Sequence, residues 1–313
     1  MLQSAALFDA TDPAVAALID GPQEAVLAVV AGVEGPSYRP VGAMMAVLGP
    51  NECVGTLSSG CIEADIALHA QKVLADGQPR TIRYGRGSPF MDIQLPCGGG
   101  LDILLLPRPD RAVLAKIAKR RADRMKSVLS IELKSGAMAL DGDGQTQTTE
   151  HTLRVAIEPE VQFFVFGKGP EAHTFSALAH SVGYPTVLFS PDPETRAIAN
   201  EIGCTVNELP HMAYPNSAVA DDRTAVILFF HDHEWEPPIL AGALETDAFY
   251  IGAQGSRAAR GVRMNALRDL GVEPDKLNAV LGPIGLVPSA RDPRTLAVSV
   301  LAEVLDKAAE RTE

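Results

Sequence analysis

A cysteine that follows a short polar turn is the first residue in this sequence whose type and position could do chemistry. The segment Ser58-Ser59-Gly60-Cys61 leads directly into a predicted helix from Cys61 to Leu74. A thiol at a helix N-terminus meets the positive end of the helix dipole, which favours the thiolate, a nucleophile and metal ligand. Glu63 and Asp65 partly oppose this effect. In the alternative interpretation, one of the serines caps the helix and the cysteine packs as a small apolar residue.

A second cysteine stands before three glycines in Leu95-Pro96-Cys97-Gly98-Gly99-Gly100, directly before a predicted strand. Because glycine carries no side chain, such a run lets the backbone approach a ligand closely. A tight turn with an irrelevant cysteine is the alternative. Two cysteines beside glycine turns in one half of the chain together predict a site for a soft ligand, since thiolates and sulfur-rich ligands go together.

The second half of the chain contains a glycine-rich turn after an apolar strand, Gly167-Lys168-Gly169-Pro170-Glu171-Ala172. Its first, third and sixth residues match the dinucleotide-binding turn of Rossmann domains, with alanine as the third small residue. The next strand ends at Ser190, where an acidic residue would bind a ribose, and Asp192 lies further along the turn. NAD(P) binding is therefore doubtful, and a Rossmann-like sheet kept for its shape is the alternative.

Two polar segments follow later apolar strands, at strand ends where open α/β sheets bind ligands. The first is His231-Asp232-His233-Glu234 and the second is Gly252-Ala253-Gln254-Gly255-Ser256-Arg257. Backbone amides and Arg257 suit a phosphate or a pterin edge. Since adjacent residues point in different directions, a metal would take only one or two ligands from the first segment, and we favour a ligand-binding loop over zinc. The alternatives are a helix cap at Asp232 and a solvated basic helix face with Arg260, Arg263 and Arg268.

The elements that must position these residues follow from apolar periodicity. In the first half it predicts alternating strands and helices at Ala25–Val33, Ala43–Leu48, Cys61–Leu74, Leu101–Leu106, Arg111–Arg124 and Ser127–Leu133. A polar stretch from Asp141 to Glu150 predicts an exposed hairpin tip. From Val161 the pattern restarts as a βαβ unit, and two later strands extend one parallel sheet before a final helix; these elements are Phe163–Phe166, Glu171–Ser181, Thr186–Phe189, Thr224–Phe230, Ala248–Ile251 and Thr295–Ala309.

This element order predicts a mixed α/β protein with two domains, as expected for 313 residues. Residues 1–158 form an α/β domain that contains Cys61 and Cys97. Residues 159–313 form a Rossmann-like domain with a parallel sheet.

Composition limits the partners and the compartment. The 27 basic and 39 acidic residues give a net charge of −12, so neither nucleic acid nor an anionic membrane is expected as a partner. The first thirty residues do not read as a secretory signal and no apolar run reaches bilayer length, which predicts a cytoplasmic protein. The four cysteines lack the spacing of a secreted disulfide domain and are expected to be free thiols; they are Cys53, Cys61, Cys97 and Cys204.

Taken in order, these motifs resemble the xanthine dehydrogenase accessory proteins of the XdhC/CoxI type, over nearly the full length of the chain. The shared stretches are Ser37–Ala43, Ser58–Asp65, Cys97–Gly99, His231–Glu234, Phe249–Ala253, Gly255–Arg257 and Pro283–Leu286. The chain departs from the family where members usually carry Gly-Ala-Gly-His-Val-Gly and an acidic end to the next strand. In their place it has Lys168, Pro170, Ala172 and Ser190.

The resemblance implies a protein that binds molybdenum cofactor (molybdopterin) and turns over no metabolite itself. Such a protein holds the cofactor while a cysteine desulfurase installs the terminal sulfur, and then passes it to an apo molybdenum hydroxylase of the xanthine dehydrogenase type. Family analogy also suggests a homodimer. The nucleotide form of the cofactor stays open at this point.

The resemblance also implies roles for the candidate residues. Cys61 and Cys97 would contact molybdenum or its sulfur ligands, and the neighbouring Ser59, Gly60, Gly98 and Gly99 would admit the pterin. The pterin or its phosphate would be held across the domain cleft by Arg39, His231, His233, Gly252, Gly255, Ser256 and Arg257. Two rival functions are an NAD(P)-dependent oxidoreductase that uses Gly167, Gly169 and Ala172, and a hydrolytic metal site at His231–Glu234.

Overall fold

The computed structural model describes residues 12–58, 60–89, 95–96 and 98–311. The chain divides into two compact units, one ending at Pro159 and the other beginning at Glu160. Each unit has its own sheets and its own apolar clusters.

The N-terminal unit contains three helices and nine strands in the part of it that is described. In chain order they are α1 Pro13–Asp20, β1 Val26–Glu34, β2 Met44–Gly49, β3 Glu52–Gly55, α2 Glu63–Asp76, β4 Arg80–Gly85, β5 Gly100–Pro107, α3 Arg111–Ala122, β6 Ser127–Glu132, β7 Met138–Asp141, β8 Gln147–Thr148 and β9 Thr152–Ile157. They form two antiparallel sheets, ordered β3-β2-β1-β5-β4 and β7-β6-β9-β8. Alternating strands and helices in the sequence do not distinguish this arrangement from a parallel sheet.

Strand β1 reads as an unbroken apolar run because both of its faces are covered. Leu27 and Val29 pack into the cluster that contains α1, α3 and the second sheet. Ala28 and Val30 point the opposite way, into the cluster beneath α2. Successive side chains of a strand alternate between faces, so a central strand between two layers needs apolar residues at every position.

The C-terminal unit has a single parallel sheet with helices on both faces. Its elements are β10 Gln162–Gly167, α4 Pro170–Ser181, β11 Thr186–Ser190, α5 Pro193–Glu201, β12 Thr205–Glu208, β13 Thr224–Phe229, α6 Glu236–Ala243, β14 Tyr250–Ala253, α7 Arg257–Asp269, α8 Pro274–Leu277, β15 Val280–Leu281 and α9 Pro293–Glu310. The strand order is β12-β11-β10-β13-β14-β15. This order is the doubly wound Rossmann topology, whose direction of winding reverses between β10 and β13. The prediction of a Rossmann-like parallel sheet is confirmed.

The central strand β10 separates two apolar layers in this unit. Phe163 and Val165 pack with α4 and α9. Phe164 and Phe166 pack on the other face, in the cluster that contains α6 and α7. The carboxyl ends of β10, β13 and β14 are thereby fixed side by side, which is where this topology places ligands.

The predicted helix that begins at Cys61 differs from the observed one. Helix α2 starts at Glu63, with Ile62 as the preceding cap residue, so the cysteine lies outside the helix. Among the helices of the described ranges, none combines the length and the apolar character that a bilayer crossing requires.

Candidate functional site

The loop that carries Cys61 is organised by one carboxylate, that of Glu63. Its Oε1 accepts hydrogen bonds from Thr56 Oγ1 at 2.7 Å, Leu57 N at 3.0 Å and Ser58 N at 2.8 Å. Its Oε2 accepts from Ser58 Oγ at 2.9 Å and from Ile62 N at 3.1 Å. Burial alone would raise the pKa of Glu63, but these hydrogen bonds outweigh it and lower the pKa to about 2. The carboxylate is therefore ionised at neutral pH, and it joins the two ends of the loop, residues 56–58 and Ile62.

Cys61 is an exposed free thiol on this closed loop. It precedes the cap residue of α2, so the expectation of a thiol in the first helical turn is wrong; the first turn instead holds Glu63 and Asp65. The alternative of a packed apolar cysteine also fails, because the side chain is exposed. At Gly60, φ is +99°, and an added Cβ would meet no atom of the described, non-adjacent residues within 4 Å, so close packing does not require this glycine. Ser59 lies outside the described residues.

The second cysteine, Cys97, also lies outside the described residues, but the glycines after it are described. An added Cβ at Gly99 would fall 2.1 Å from the carbonyl oxygen of Pro36, so this glycine is required by close backbone packing. Gly98 has a φ of +71°, and an added Cβ there would meet none of the described, non-adjacent residues within 4 Å. Packing therefore explains Gly99, whereas the left-handed backbone conformation favours glycine at position 98. Arg39 lies on an exposed turn, where its amide donates to Ser37 Oγ at 3.3 Å.

The glycine turn of the C-terminal unit has its own backbone donors already engaged. Gly169 N donates to Thr195 Oγ1 at 2.8 Å and Lys168 N donates to the carbonyl oxygen of Phe229 at 3.2 Å. Pro170, the first residue of α4, has no N–H to offer. A dinucleotide pyrophosphate needs such amides free at the helix N-terminus, so these contacts disfavour it.

The small residues of this turn have a packing role as well. An added Cβ at Gly167 would fall 2.4 Å from the carbonyl oxygen of Phe229 and 3.0 Å from the Cβ of the buried Ala172. Ser190 is buried at the end of β11. Asp192 caps α5 by accepting from Thr195 N at 2.8 Å, and the Thr195 hydrogen bonds lower the pKa of Asp192. That carboxylate is therefore not available to a ribose.

Two side chains of the segment after β13, those of His231 and Asp232, lie close to side chains of the glycine turn and α4. His231 Nε2 lies 3.3 Å from Glu171 Oε2, and Lys168 Nζ lies 3.5 Å from Asp232 Oδ2. Asp232 does not cap the following helix, which begins at Glu236 without a side-chain cap. Within the ranges 12–58, 60–89, 95–96 and 98–311, no three His, Cys, Asp or Glu side chains are grouped to hold a metal ion.

A buried ion pair that the sequence did not reveal supports this segment. Glu236 and Arg263 are fully buried, and the guanidinium donates to both carboxylate oxygens, at 2.9 and 3.0 Å. Arg263 Nη2 also donates to the carbonyl oxygen of Gln254 at 2.6 Å, and His233 Nδ1 lies 3.2 Å from Glu236 Oε2. The pair thus ties the loops after β13 and β14 together. The alternative of a solvated basic face on α7 does not hold for Arg263, which lies on the buried stripe with Leu267, four residues later.

These loops line a cleft of about 450 Å³ within the C-terminal unit. Of the predicted residues, His231, His233, Gly255 and Ser256 contribute to its wall. Ser256 also caps α7, accepting from Ala259 N at 3.1 Å. The cleft wall also includes Glu171 and residues 289–292, which the sequence did not single out.

Two predicted residues lie elsewhere. Gly252 is buried inside β14, where an added Cβ would fall 2.7 Å from Ile284 Cγ2, so packing accounts for this glycine. Arg257 is the exposed first residue of α7 and does not line the cleft. Arg39, Cys61, Gly98 and Gly99 belong to the N-terminal unit, and the cleft residues belong to the C-terminal one.

The fold and these features define a class of protein. It has an antiparallel α/β unit with an exposed loop cysteine, followed by a Rossmann-type unit whose glycine turn has its own backbone donors, Lys168 N and Gly169 N, hydrogen-bonded within the protein. The XdhC Rossmann domain matches residues 163–304, and the XdhC and CoxI family matches residues 18–85. The chain belongs to the XdhC and CoxI family.

Individual relatives span almost the whole chain. The molybdenum cofactor insertion chaperone PaoD of Escherichia coli is 34% identical over 292 residues, which cover 93% of this chain and 85% of PaoD. A Bacillus subtilis protein described as a probable component of xanthine dehydrogenase is 26% identical and covers 92% of this chain and 94% of that protein. The crystal structure of a xanthine dehydrogenase from Bacillus halodurans shares the fold, with a TM-score of 0.75, 23% identity and 95% coverage of both chains.

Proposed function

We propose that this protein is an accessory factor of molybdoenzyme maturation. It binds molybdenum cofactor, holds it while the terminal sulfur is installed, and inserts it into an apo hydroxylase of the xanthine dehydrogenase type. The observation that carries this proposal is the 34% identity to a molybdenum cofactor insertion chaperone over 93% of the chain. The xanthine dehydrogenase naming of the Bacillus subtilis relative supports the same client class.

Cys61 is the residue we assign to the molybdenum end of the cargo. Its thiol is exposed, and the loop that carries it is fixed by Glu63. A thiolate is a soft donor suited to molybdenum and its sulfur ligands. Cys97 is assigned the same role on the sequence pattern alone, and Ser59, Gly60, Gly98 and Gly99 are assigned to the pterin on the same pattern.

The cleft of the C-terminal unit is assigned to the organic part of the cargo. Its imidazoles, the Ser256 hydroxyl and Arg291 offer donors to a phosphate, and a volume of about 450 Å³ suits a ligand of pterin size. The imidazoles in the wall are those of His231 and His233. Arg39 and Arg257, both exposed, are assigned to the phosphate as secondary contacts.

The partners belong to the same proposal. A cysteine desulfurase supplies the sulfur, and the chain works as a homodimer in the cytoplasm. The net charge of −12 supports a role among soluble partners and disfavours nucleic acid and anionic membranes.

The test is retention of freshly released molybdenum cofactor. Purified protein is mixed with the cofactor, passed through a desalting column, and assayed for molybdenum and for oxidised-pterin fluorescence. We expect near-stoichiometric retention. In Cys61→Ser we expect retained molybdenum to fall at least about tenfold, as for the loss of a metal ligand.

Cys53→Ser is the matched control, because Cys53 is also an exposed thiol of the N-terminal unit, on the edge strand β3. It should retain as much molybdenum as the wild type. No retention by the wild type contradicts the proposed function. Full retention by Cys61→Ser contradicts the assignment of the cysteine.

A further inference from the structure

The cleft of the C-terminal unit contains one carboxylate whose hydrogen bonding is incomplete. Two carboxylates line it, those of Glu171 and Asp292. Asp292 caps α9 and accepts from Arg294 N and Thr295 N, both at 3.1 Å. Within the part of the chain that the structure describes, Glu171 Oε2 is shielded from solvent and accepts no hydrogen bond.

The nearest side-chain nitrogen does not complete the hydrogen bonding of Glu171. His231 Nε2 lies 3.3 Å from Oε2 without forming a hydrogen bond, and the imidazole is 70% exposed. An acceptor oxygen removed from water without a donor carries a desolvation penalty. The exposed His231 imidazole lies against this oxygen, so a ligand N–H reaches it from the cleft once that side chain rotates away. The new contact removes the penalty and is a charge-assisted hydrogen bond.

The position of the Glu171 carboxylate also determines whether a hydrogen-bond donor or an anionic group of the ligand can bind beside it. Glu171 lies in the first turn of α4, directly after the glycine turn whose amides are already engaged. An anionic group here would face the Glu171 carboxylate, which repels it. The ligand edge at Glu171 is therefore a hydrogen-bond donor, and any phosphate binds at another part of the wall.

We propose that the Glu171 carboxylate binds the 2-amino-4-oxopyrimidine edge of a pterin ring. That edge presents two adjacent N–H groups, the 2-amino group and N3–H, and a carboxylate can accept two such parallel hydrogen bonds. The inference rests on the proposed function and specifies it: Glu171 orients the pterin in the cleft.

The experiment compares two small probes on the full-length protein, pterin and lumazine. Lumazine has the same bicyclic ring, but a carbonyl oxygen replaces the 2-amino group and would face the carboxylate as an acceptor. Dissociation constants are measured by ligand-observed NMR titration for the wild type and for Glu171→Gln. We expect the wild type to bind pterin about tenfold or more tighter than lumazine, as one lost charge-assisted hydrogen bond implies.

We expect Glu171→Gln to lose most of this discrimination. Glu194→Gln is the matched control, because Glu194 occupies the first turn of the neighbouring helix α5, is exposed, and does not line the cleft. It should discriminate as the wild type does. Thermal unfolding of each variant shows whether the glutamine substitution has left the fold intact.

Three results overturn the inference: equal binding of both probes by the wild type, unchanged discrimination in Glu171→Gln, or no pterin binding at all. Its failure is separable from that of the proposed function. If the wild type and Glu171→Gln retain intact cofactor equally on the desalting column, the result supports the proposed function and contradicts the Glu171 contact. If the wild type retains none, the proposed function falls.

Discussion

Glu63 shows how a residue next to a reactive side chain acts through backbone geometry. The sequence places an acidic residue two positions after Cys61, where it would oppose a thiolate at the helix start. In the structure its charge is taken up by backbone amides of residues 57, 58 and 62 and by two hydroxyls. Its effect on Cys61 is therefore to hold the loop that presents the thiol.

We predict that Glu63→Gln destabilises the protein by about 1–2 kcal/mol at pH 7, a value reduced for the partial exposure of the group. The folded pKa of about 2 lies below the ordinary value of 4.5. This contribution is therefore fully present above pH 4.5 and is lost as the pH falls towards 2. Urea unfolding should show a larger difference between wild type and variant at pH 7 than at about pH 3.

The matched control for this prediction is Glu52→Gln, on the exposed edge strand β3. It should leave the free energy of unfolding within about 0.5 kcal/mol of the wild type at both pH values. A Glu63→Gln variant as stable as the wild type at pH 7 would show that the loop does not depend on this carboxylate.

At the scale of elements, the sequence was most informative where one physical rule dominated. Strands β10 and β13 and helices α4 and α9 follow from continuous apolar runs and helical spacing, and the structure has them within three residues of the expected bounds. The antiparallel pairing of the N-terminal sheets was not predictable, because pairing depends on contacts distant in sequence, such as Val26 with Pro107.

The candidate site was predictable only in part, for a related reason. Polar segments after β13 and β14 could be recognised from their position at strand ends, and five of their residues line one cleft. The burial of Arg263 could not be predicted, because the sequence does not distinguish a buried arginine from a surface arginine until its partner Glu236 is known. The only sequence signal was its position four residues before Leu267 on the apolar stripe of α7.

We predict that Arg263→Met destabilises the protein by about 3–5 kcal/mol, because it leaves the Glu236 carboxylate buried without its cation. The double variant Glu236→Leu, Arg263→Met should be closer in stability to the wild type, since no buried charge remains. Urea unfolding of the single and double variants measures both effects. Equal stability of Arg263→Met and wild type would mean that the pair is not closed in solution.

The glycine turn of the C-terminal unit, whose own backbone donors are already hydrogen-bonded, leads to a prediction about nucleotide binding. We expect no saturable submillimolar binding when the protein is titrated with NADH or NADPH and followed by nicotinamide fluorescence. The physical reason is that Gly169 N–H is bonded to Thr195, Pro170 has none, and Asp192 is held in a helix cap. Tight binding accompanied by turnover would support the rival oxidoreductase function instead.

At the scale of the whole molecule, the chain forms two separate sets of apolar clusters, one in each unit. The N-terminal unit buries two apolar clusters around β1, and the C-terminal unit buries two around β10. These clusters share no residue across the boundary between Pro159 and Glu160. Each unit therefore has a core formed from its own residues.

We predict that residues 160–313 fold when expressed alone, because their six-stranded sheet and both of its apolar layers lie within that segment. Thermal unfolding by circular dichroism should be cooperative and amide NMR signals well dispersed. The control fragment begins at Lys168 and so lacks β10, the strand that both layers pack against. It should remain unfolded or aggregate. Failure of the longer fragment to fold cooperatively would show that the C-terminal unit depends on the N-terminal one.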